Sequence, residues 1–187
     1  FRKEFSLGCV PRKAPLLITA DQSYRLYLNG EHVCRGPARG FQSHWSCDQV
    51  DVGRFLRRGR NLIAVRAHNP GCGNFQYVSS GFAGLLVAAR WGRFELVSDE
   101  TWKCRRQEGV ARGTVPTSVQ TFRQEHVEKR LEPDDWMLPD FDAGGWTART
   151  VSRPFGSMPW HDLEPRMIPM LAERRELPRA LVGVGSG

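Results

Sequence analysis

The sequence contains no apolar run approaching the roughly 18 residues of a membrane span. Its opening residues, Phe-Arg-Lys-Glu-Phe, lack the apolar centre of a signal peptide. It has no Cys-x-x-Cys pair, no cysteine–histidine spacing of the zinc type and no Gly-x-Ser-x-Gly turn for a nucleophilic serine. Internal repeats are missing as well. Helical continuity is scarce, because 19 glycines and 12 prolines among 187 residues cut the chain into short segments. Apolar residues make up 40% and charged residues 25%, enough for a core and too apolar for disorder. A transmembrane protein, a coiled coil and a disordered tail are thereby excluded, and the length suits one domain with or without an appendage. The chain opens on Phe rather than Met, so it reads as trimmed from something longer.

The net charge is +7 and the isoelectric point is near 9.6, which raises the question of nucleic acid. A nucleic-acid reader concentrates positive charge on one face or one helix. Here Arg54, Arg57, Arg58 and Arg60 form the only dense cluster before the tail, around Gly59 in a loop entering a strand. They read as a solvated surface, and no nucleic-acid or membrane partner is assigned. The five cysteines (Cys9, Cys34, Cys47, Cys72 and Cys104) are odd in number and read mostly as small buried hydrophobes, a pattern that fits a reducing, cytoplasmic compartment.

What is present is strand and turn. In Tyr24-Arg25-Leu26-Tyr27-Leu28, Tyr24, Leu26 and Leu28 face one way and Arg25 and Tyr27 the other. Asn29-Gly30 then predicts a tight hairpin, since both residues tolerate positive φ, with residues 31–35 returning. Residues 16–20 form a short apolar strand. Within residues 61–68, Ile63, Val65 and Ala67 face the core and Arg66 and His68 the other side. Residues 69–80 form a long loop carrying Phe75 and Tyr77. The run Leu85-Leu86-Val87-Ala88-Ala89 is apolar on both parities and predicts a strand covered on both faces, hinged at Trp91-Gly92 to a strand over 93–97. Residues 102–105 and 146–151 read as further short strands, and 106–121 as a surface crossing. Eight to ten short strands without a helix point to an all-β antiparallel sandwich, with Leu26, Leu28, Ile63, Val65, Leu86 and Leu96 inside. The Pro-punctuated composition after Pro154 separates a sandwich over residues 1–157 from an extended linker over 158–187.

Catalytic constellations are weak. The carboxylates Glu132, Asp134, Asp135, Asp140 and Asp142 crowd into one stretch, whereas a glycosidase needs two facing each other about 5–9.5 Å apart across a bond. That cluster reads as a solvated loop with a turn at Asp142-Ala143-Gly144-Gly145. His32, His44, His68, His126 and His161 are scattered, none spaced as a metal pair, so no catalytic residue, metal or cofactor is assigned. For sugar binding the chemistry asks for an aromatic platform plus side chains that hydrogen-bond hydroxyls. Tyr27, Phe41, Trp45, Phe75 and Tyr77 fall outside obvious core parity, several beside Arg39, Gln42, His44, Asn74 and Gln76. The candidate carbohydrate site is Tyr27, Arg39, His44, Trp45, Phe75 and Tyr77, with Trp45 as the exposed platform. The competing reading is that these rings plug the end of the sandwich.

Tyr24-Arg25-Leu26-Tyr27-Leu28-Asn29-Gly30 followed by Gly36-Pro37-Ala38-Arg39 resembles the opening hairpin of the β-sandwich domains that precede the barrel in α-L-rhamnosidase-type glycoside hydrolases. Asp51-Val52, Phe55-Leu56 and Gly59-Arg60-Asn61-Leu62-Ile63-Ala64-Val65 resemble a strand entry that β-galactosidase sugar-binding domains share. Asp99-Glu100-Thr101-Trp102 is similar to the Asp-x-x-Trp turn of these modules, and Trp136, Phe141-Asp142 and Gly145-Trp146 to their closing strand. Met158-Pro159-Trp160 and Leu163 through Glu173 resemble the linker by which such chains leave the sandwich. The resemblance implies a jelly-roll, galactose-binding-domain-like fold and a catalytic domain further along the same polypeptide as partner. It implies a non-catalytic accessory domain that binds carbohydrate weakly. The alternatives are a purely structural module packing on the barrel, for which an apolar patch near residues 160–171 would speak, and a free-standing glycosidase.

Overall fold

Alternation of period two, read along the chain, becomes two sheets packed face to face. The computed structural model describes all residues except 122, 148–152, 155, 159, 175, 178, 181–182 and 184–187. Among the described residues the strands are β1 (Arg2–Leu7), β2 (Pro15–Asp21), β3 (Ser23–Leu28), β4 (Glu31–Gly36), β5 (Trp45–Asp51), β6 (Gly59–His68), β7 (Gly84–Trp91), β8 (Phe94–Val97) and β9 (Leu163–Pro165). One sheet has the order β1-β6-β3-β4 and the other β8-β7-β2-β5-β9. All neighbours run antiparallel except β5 and β9, which are parallel. The expected all-β sandwich is therefore what the chain forms.

The core lies between the sheets. Leu26 and Leu28 of β3 and Ile63 and Val65 of β6 meet Leu16 and Ile18 of β2, Val87 and Ala89 of β7 and Leu96 of β8. Asn29 and Gly30 turn β3 into β4 with φ of 51° and 89°, the two positive values that a two-residue hairpin of this twist requires. Leu86 corrects the expected core: Val87, Ala89 and Trp91 point inward, which leaves Leu86 half-buried on the outer face. A run apolar on both parities carries no parity signal, so the inward set had to come from pairing with β2.

It is β6, not β7, that is buried on both faces from Asn61 to Val65. Across the first sheet Arg2, Ala64 and Tyr27 are cross-strand partners and share the outer face. Residues 136–146 cover that row. The buried Arg2 guanidinium donates hydrogen bonds to the carbonyls of Trp136, Leu138 (3.1 Å) and Phe141 (3.4 Å). It also lies over the rings of Phe141 and Trp146, while Trp136 meets Tyr27 edge-on at 5.5 Å. A charge this buried is tolerable only because its donors find carbonyls and its faces find π-systems.

The short strand expected over 102–105 is reduced to two isolated bridges, Lys103 to Arg2 and Cys104 to Thr147. The strand expected over 146–151 lies outside the described residues beyond Thr147. Residues 109–116 and 123–128 pair irregularly through isolated bridges, closed where Glu128 N–H donates to the Gly109 carbonyl at 2.8 Å.

The segment expected as a linker is in part a strand. β9 pairs Trp45 with Leu163 and Cys47 with Pro165, and Arg166 N–H continues onto the Cys47 carbonyl at 3.1 Å. The Arg166 guanidinium then grips the fully buried Asp48 carboxylate, Nε to Oδ1 at 2.6 Å and Nη2 to Oδ2 at 3.4 Å. Tyr24 of the opposite sheet donates its hydroxyl to Asp48 Oδ2 at 2.5 Å. Burial first, then neighbouring Cys34 and Asp48, push the Tyr24 hydroxyl well above its usual pKa, and the Asp48 hydrogen bond raises that of Arg166. Gly36 leaves room for this cluster, since a Cβ there would sit 2.0 Å from Asp48 Oδ2.

Cys34 and Cys47 are buried as expected, whereas Cys9 is exposed and Cys72 and Cys104 are intermediate, and the expectation of mostly buried thiols is corrected accordingly. Burial pushes both Cys34 and Cys47 up to about 11. A raised thiol pKa means less thiolate at pH 8, so Cys9 alkylates first and Cys34 and Cys47 react only on unfolding, read by peptide mass spectrometry. Arg166→Met leaves the Asp48 carboxylate buried without its cation and should cost about 3–5 kcal/mol in urea unfolding. Adding Asp48→Asn to it should recover part of that loss.

Candidate functional site

Two loops meet at one end of the sandwich, residues 37–44 between β4 and β5 and residues 69–83 between β6 and β7. They are built alike. In the first, Gly40 precedes Phe41-Gln42 and His44 N–H returns to the Phe41 carbonyl at 3.0 Å. In the second, Gly73 precedes Asn74-Phe75-Gln76, and Asn74 and Tyr77 exchange backbone hydrogen bonds at 2.8 and 3.3 Å. Each glycine sits where the loop closes: a Cβ on Gly40 would lie 2.8 Å from the His44 carbonyl oxygen, and one on Gly73 3.2 Å from that of Tyr77. Gln42 joins the loops by donating from Nε2 to the Val78 carbonyl at 2.6 Å.

The long loop is pinned by Asp21, buried at the end of β2. Tyr77 donates its hydroxyl to Asp21 Oδ1, Ser80 Oγ donates to Oδ2 at 2.6 Å, and Asn69 Nδ2 reaches Oδ1 at 3.4 Å. Burial, and next the Asp21 carboxylate, raise the Tyr77 hydroxyl above its ordinary pKa. These bonds turn the Tyr77 ring inward, edge-on to Trp45 at 6.4 Å.

That geometry corrects the expected site. Trp45 is 2% exposed, so it is no open platform, and Tyr77 is buried behind it. Tyr27 belongs to the outer face of the first sheet, beneath Trp136 and beside His32, and not to the loop end. Arg39, His44 and Phe75 are exposed on the loops as the sequence suggested. The rings that face solvent are Phe75, at 80%, and Phe41, at 82%, the latter left out of the candidate set although noted beside it. His44 Nδ1 lies 2.8 Å from Ser43 Oγ, and its Nε2 is 3.9 Å from Glu164 of β9. At this end Gln42 Oε1, Trp45 Nε1, Asn74 Nδ2 and Trp160 Nε1 are buried without a hydrogen-bond partner among the described residues.

The acidic residues form no facing pair in a cleft among the described residues. Asp21 and Asp48 are saturated by the partners above. Asp134, Asp135, Asp140 and Asp142 are exposed, and Asp142 caps its turn by accepting from Gly144 N–H at 2.7 Å. Glu132 accepts from Gly109 N–H at 2.8 Å. No group of three or more His, Cys, Asp or Glu side chains suited to a metal occurs among the described residues.

The family described as "Alpha-L-rhamnosidase N-terminal domain" matches residues 10–171. The chain is 26% identical over 166 residues to an alpha-L-rhamnosidase of Streptomyces avermitilis, covering 88% of this chain and 14% of that protein. The crystal structure of a GH78 family rhamnosidase of Bacillus sp. GL1 superposes with a TM-score of 0.83 at 36% identity, over 90% of this chain and 18% of that one. A Pleurotus ostreatus lectin solved with GalNAc shares the fold alone, at 19% identity and a TM-score of 0.56, over 90% of this chain and 41% of the lectin. The chain thus spans less than a fifth of the rhamnosidases it matches.

Burial separates the aromatic residues by their effect on stability. Trp45→Ala should cost about 3–5 kcal/mol, as a large buried ring does, and lower the thermal midpoint by many degrees. Phe75→Ala should stay within about 0.5 kcal/mol of the parent. Differential scanning calorimetry distinguishes the two.

Proposed function

Because the chain belongs to the alpha-L-rhamnosidase N-terminal domain family, we propose that it is a non-catalytic accessory domain of a rhamnosidase-type glycoside hydrolase. Its binding face for carbohydrate is the pair of joined loops at residues 37–44 and 69–83. The observation that carries the reading is Phe41 and Phe75, both about four-fifths exposed on loops tied together by Gln42. Side chains of that size stay in water at a cost, and a pyranose offers them an apolar face. Arg39 and His44 stand exposed on the same loops to meet hydroxyls. A lectin of the same fold was solved with GalNAc, which supports the reading that a sandwich of this kind holds a sugar.

The absence of catalysis by the chain itself is supported by its carboxylates. Glycosidic cleavage needs an acid and a base or nucleophile fixed across one bond. Asp21 and Asp48 are each consumed in hydrogen bonds that shape the fold, and the exposed Asp134, Asp135, Asp140 and Asp142 lie along one turn-rich segment.

Calorimetric titration of the chain with L-rhamnose, and with galactose in parallel, tests the binding face. A shallow aromatic site gives a dissociation constant on the order of millimolar, near −4 kcal/mol. Phe75→Ala and Phe41→Ala should weaken it beyond detection while leaving the thermal midpoint in place. Unchanged affinity in both variants would move the site elsewhere, and release of aryl product from a rhamnoside by the chain alone would overturn the accessory role.

A further inference from the structure

Over residues 166–171, directly after β9, the charge is turned inward and the apolar side chains outward. Two charged side chains of the stretch after β9 turn toward the sandwich: Arg166, 9% exposed in its side chain, holds Asp48, and Glu173 lies 3.4 Å from Arg35 and 3.7 Å from His32 on β4, while Arg174 and Glu176 stand in solvent and pair with each other. Its apolar side chains point away, with Met167 88%, Ile168 56%, Leu171 62% and Leu177 72% exposed. A surface element normally buries its apolar residues and solvates its charges. A contiguous exposed apolar strip of the opposite sense marks a face that another body covers. Two of the residues between Arg166 and Leu171 are methionines, whose flexible thioethers adapt to an opposing surface.

We infer that residues 167–171 are one side of an interdomain contact, and that the occupant is the further polypeptide of the full-length protein. The rhamnosidases that this chain matches extend far beyond it, since it covers 14% and 18% of their lengths. Size points the same way. A handful of side chains falls short of the ~800 Å² per partner that two free proteins need for stable association, whereas a tethered neighbour has millimolar effective concentration from the outset. Ion pairs on the sandwich side fix the strip in place, so the further polypeptide meets a preset surface rather than a loose tether.

The inference rests on the accessory-domain reading, but its readout does not involve sugar. Hydrogen exchange is compared between the full-length protein and the 187-residue chain. The amides of Met167, Ile168, Met170 and Leu171 should exchange at least tenfold more slowly in the full-length protein. Introducing Met167→Glu, Ile168→Glu and Leu171→Glu together should abolish that difference while leaving the β2 and β6 amides protected. Equal exchange in the two proteins overturns the inference, and so does protection in the 187-residue chain that grows with its concentration, which makes a second copy the occupant. Unchanged rhamnose affinity in the Phe75→Ala and Phe41→Ala variants with exchange protection intact marks failure of the sugar reading alone, and equal exchange with the affinity loss present marks failure of this one.

Discussion

Asp48 has no exposed surface, and a carboxylate so placed must be met by donors or it destabilises everything around it. Its donors come from two separate parts of the chain, Tyr24 from the first sheet and Arg166 from the stretch after β9, and Arg166 is itself held to β5 by donating its backbone N–H to the Cys47 carbonyl. The two sheets are thus joined by a polar tie in addition to their apolar contact. An ion pair of this kind contributes less to net stability than to uniqueness of arrangement, since a hydrophobic trio of the same volume would pack as well without specifying which strand lies where. Here it specifies that residues 163–166 close the side of the sandwich next to β5.

A second buried charge organises the other flank. Arg2 gathers the carbonyls of residues 136–141 and the rings of Phe141 and Trp146 over the outer face of β1, β6 and β3. The outer face of the first sheet is therefore covered by this segment, whereas on the second sheet Leu17 and Val97 remain 42% exposed. The loops at residues 37–44 and 69–83 are held by a third buried ionisable side chain, Asp21. In each case a single charged side chain fixes a segment that has little regular secondary structure of its own, which is how a chain this rich in glycine and proline keeps long loops in defined positions.

Much of the sandwich was legible from the residues. Strands β3 and β6 showed their inward sets by alternation, and Asn29-Gly30 announced its hairpin because few other pairs take up two positive φ values. Strand β5 was not legible: Ser46 and Asp48 point into protein, and a polar residue facing inward makes sense only with partners such as Tyr24 and Arg166, 24 and 118 positions away. Arg2 concealed β1 for the same reason. The loop end was half legible. The stretches that carry Trp45 and Phe75 look alike in sequence, aromatic among polar neighbours, yet one is buried against Tyr77 and Leu163 and the other stands in solvent. Nothing local distinguishes them, because the difference is made by what β9 and Asp21 place behind each ring.

The parallel pairing of β9 with β5 also bears on how this domain behaves in company. An uncovered edge strand offers a row of free amides and carbonyls on which any other extended chain can assemble. By occupying that row at Trp45 and Cys47, β9 removes one template from the second sheet. Its hold is only three residues long and depends on Arg166, so the same segment from a neighbouring copy matches the vacated edge equally well. The buried Arg166–Asp48 ion pair is what keeps that strap on the edge of its own chain.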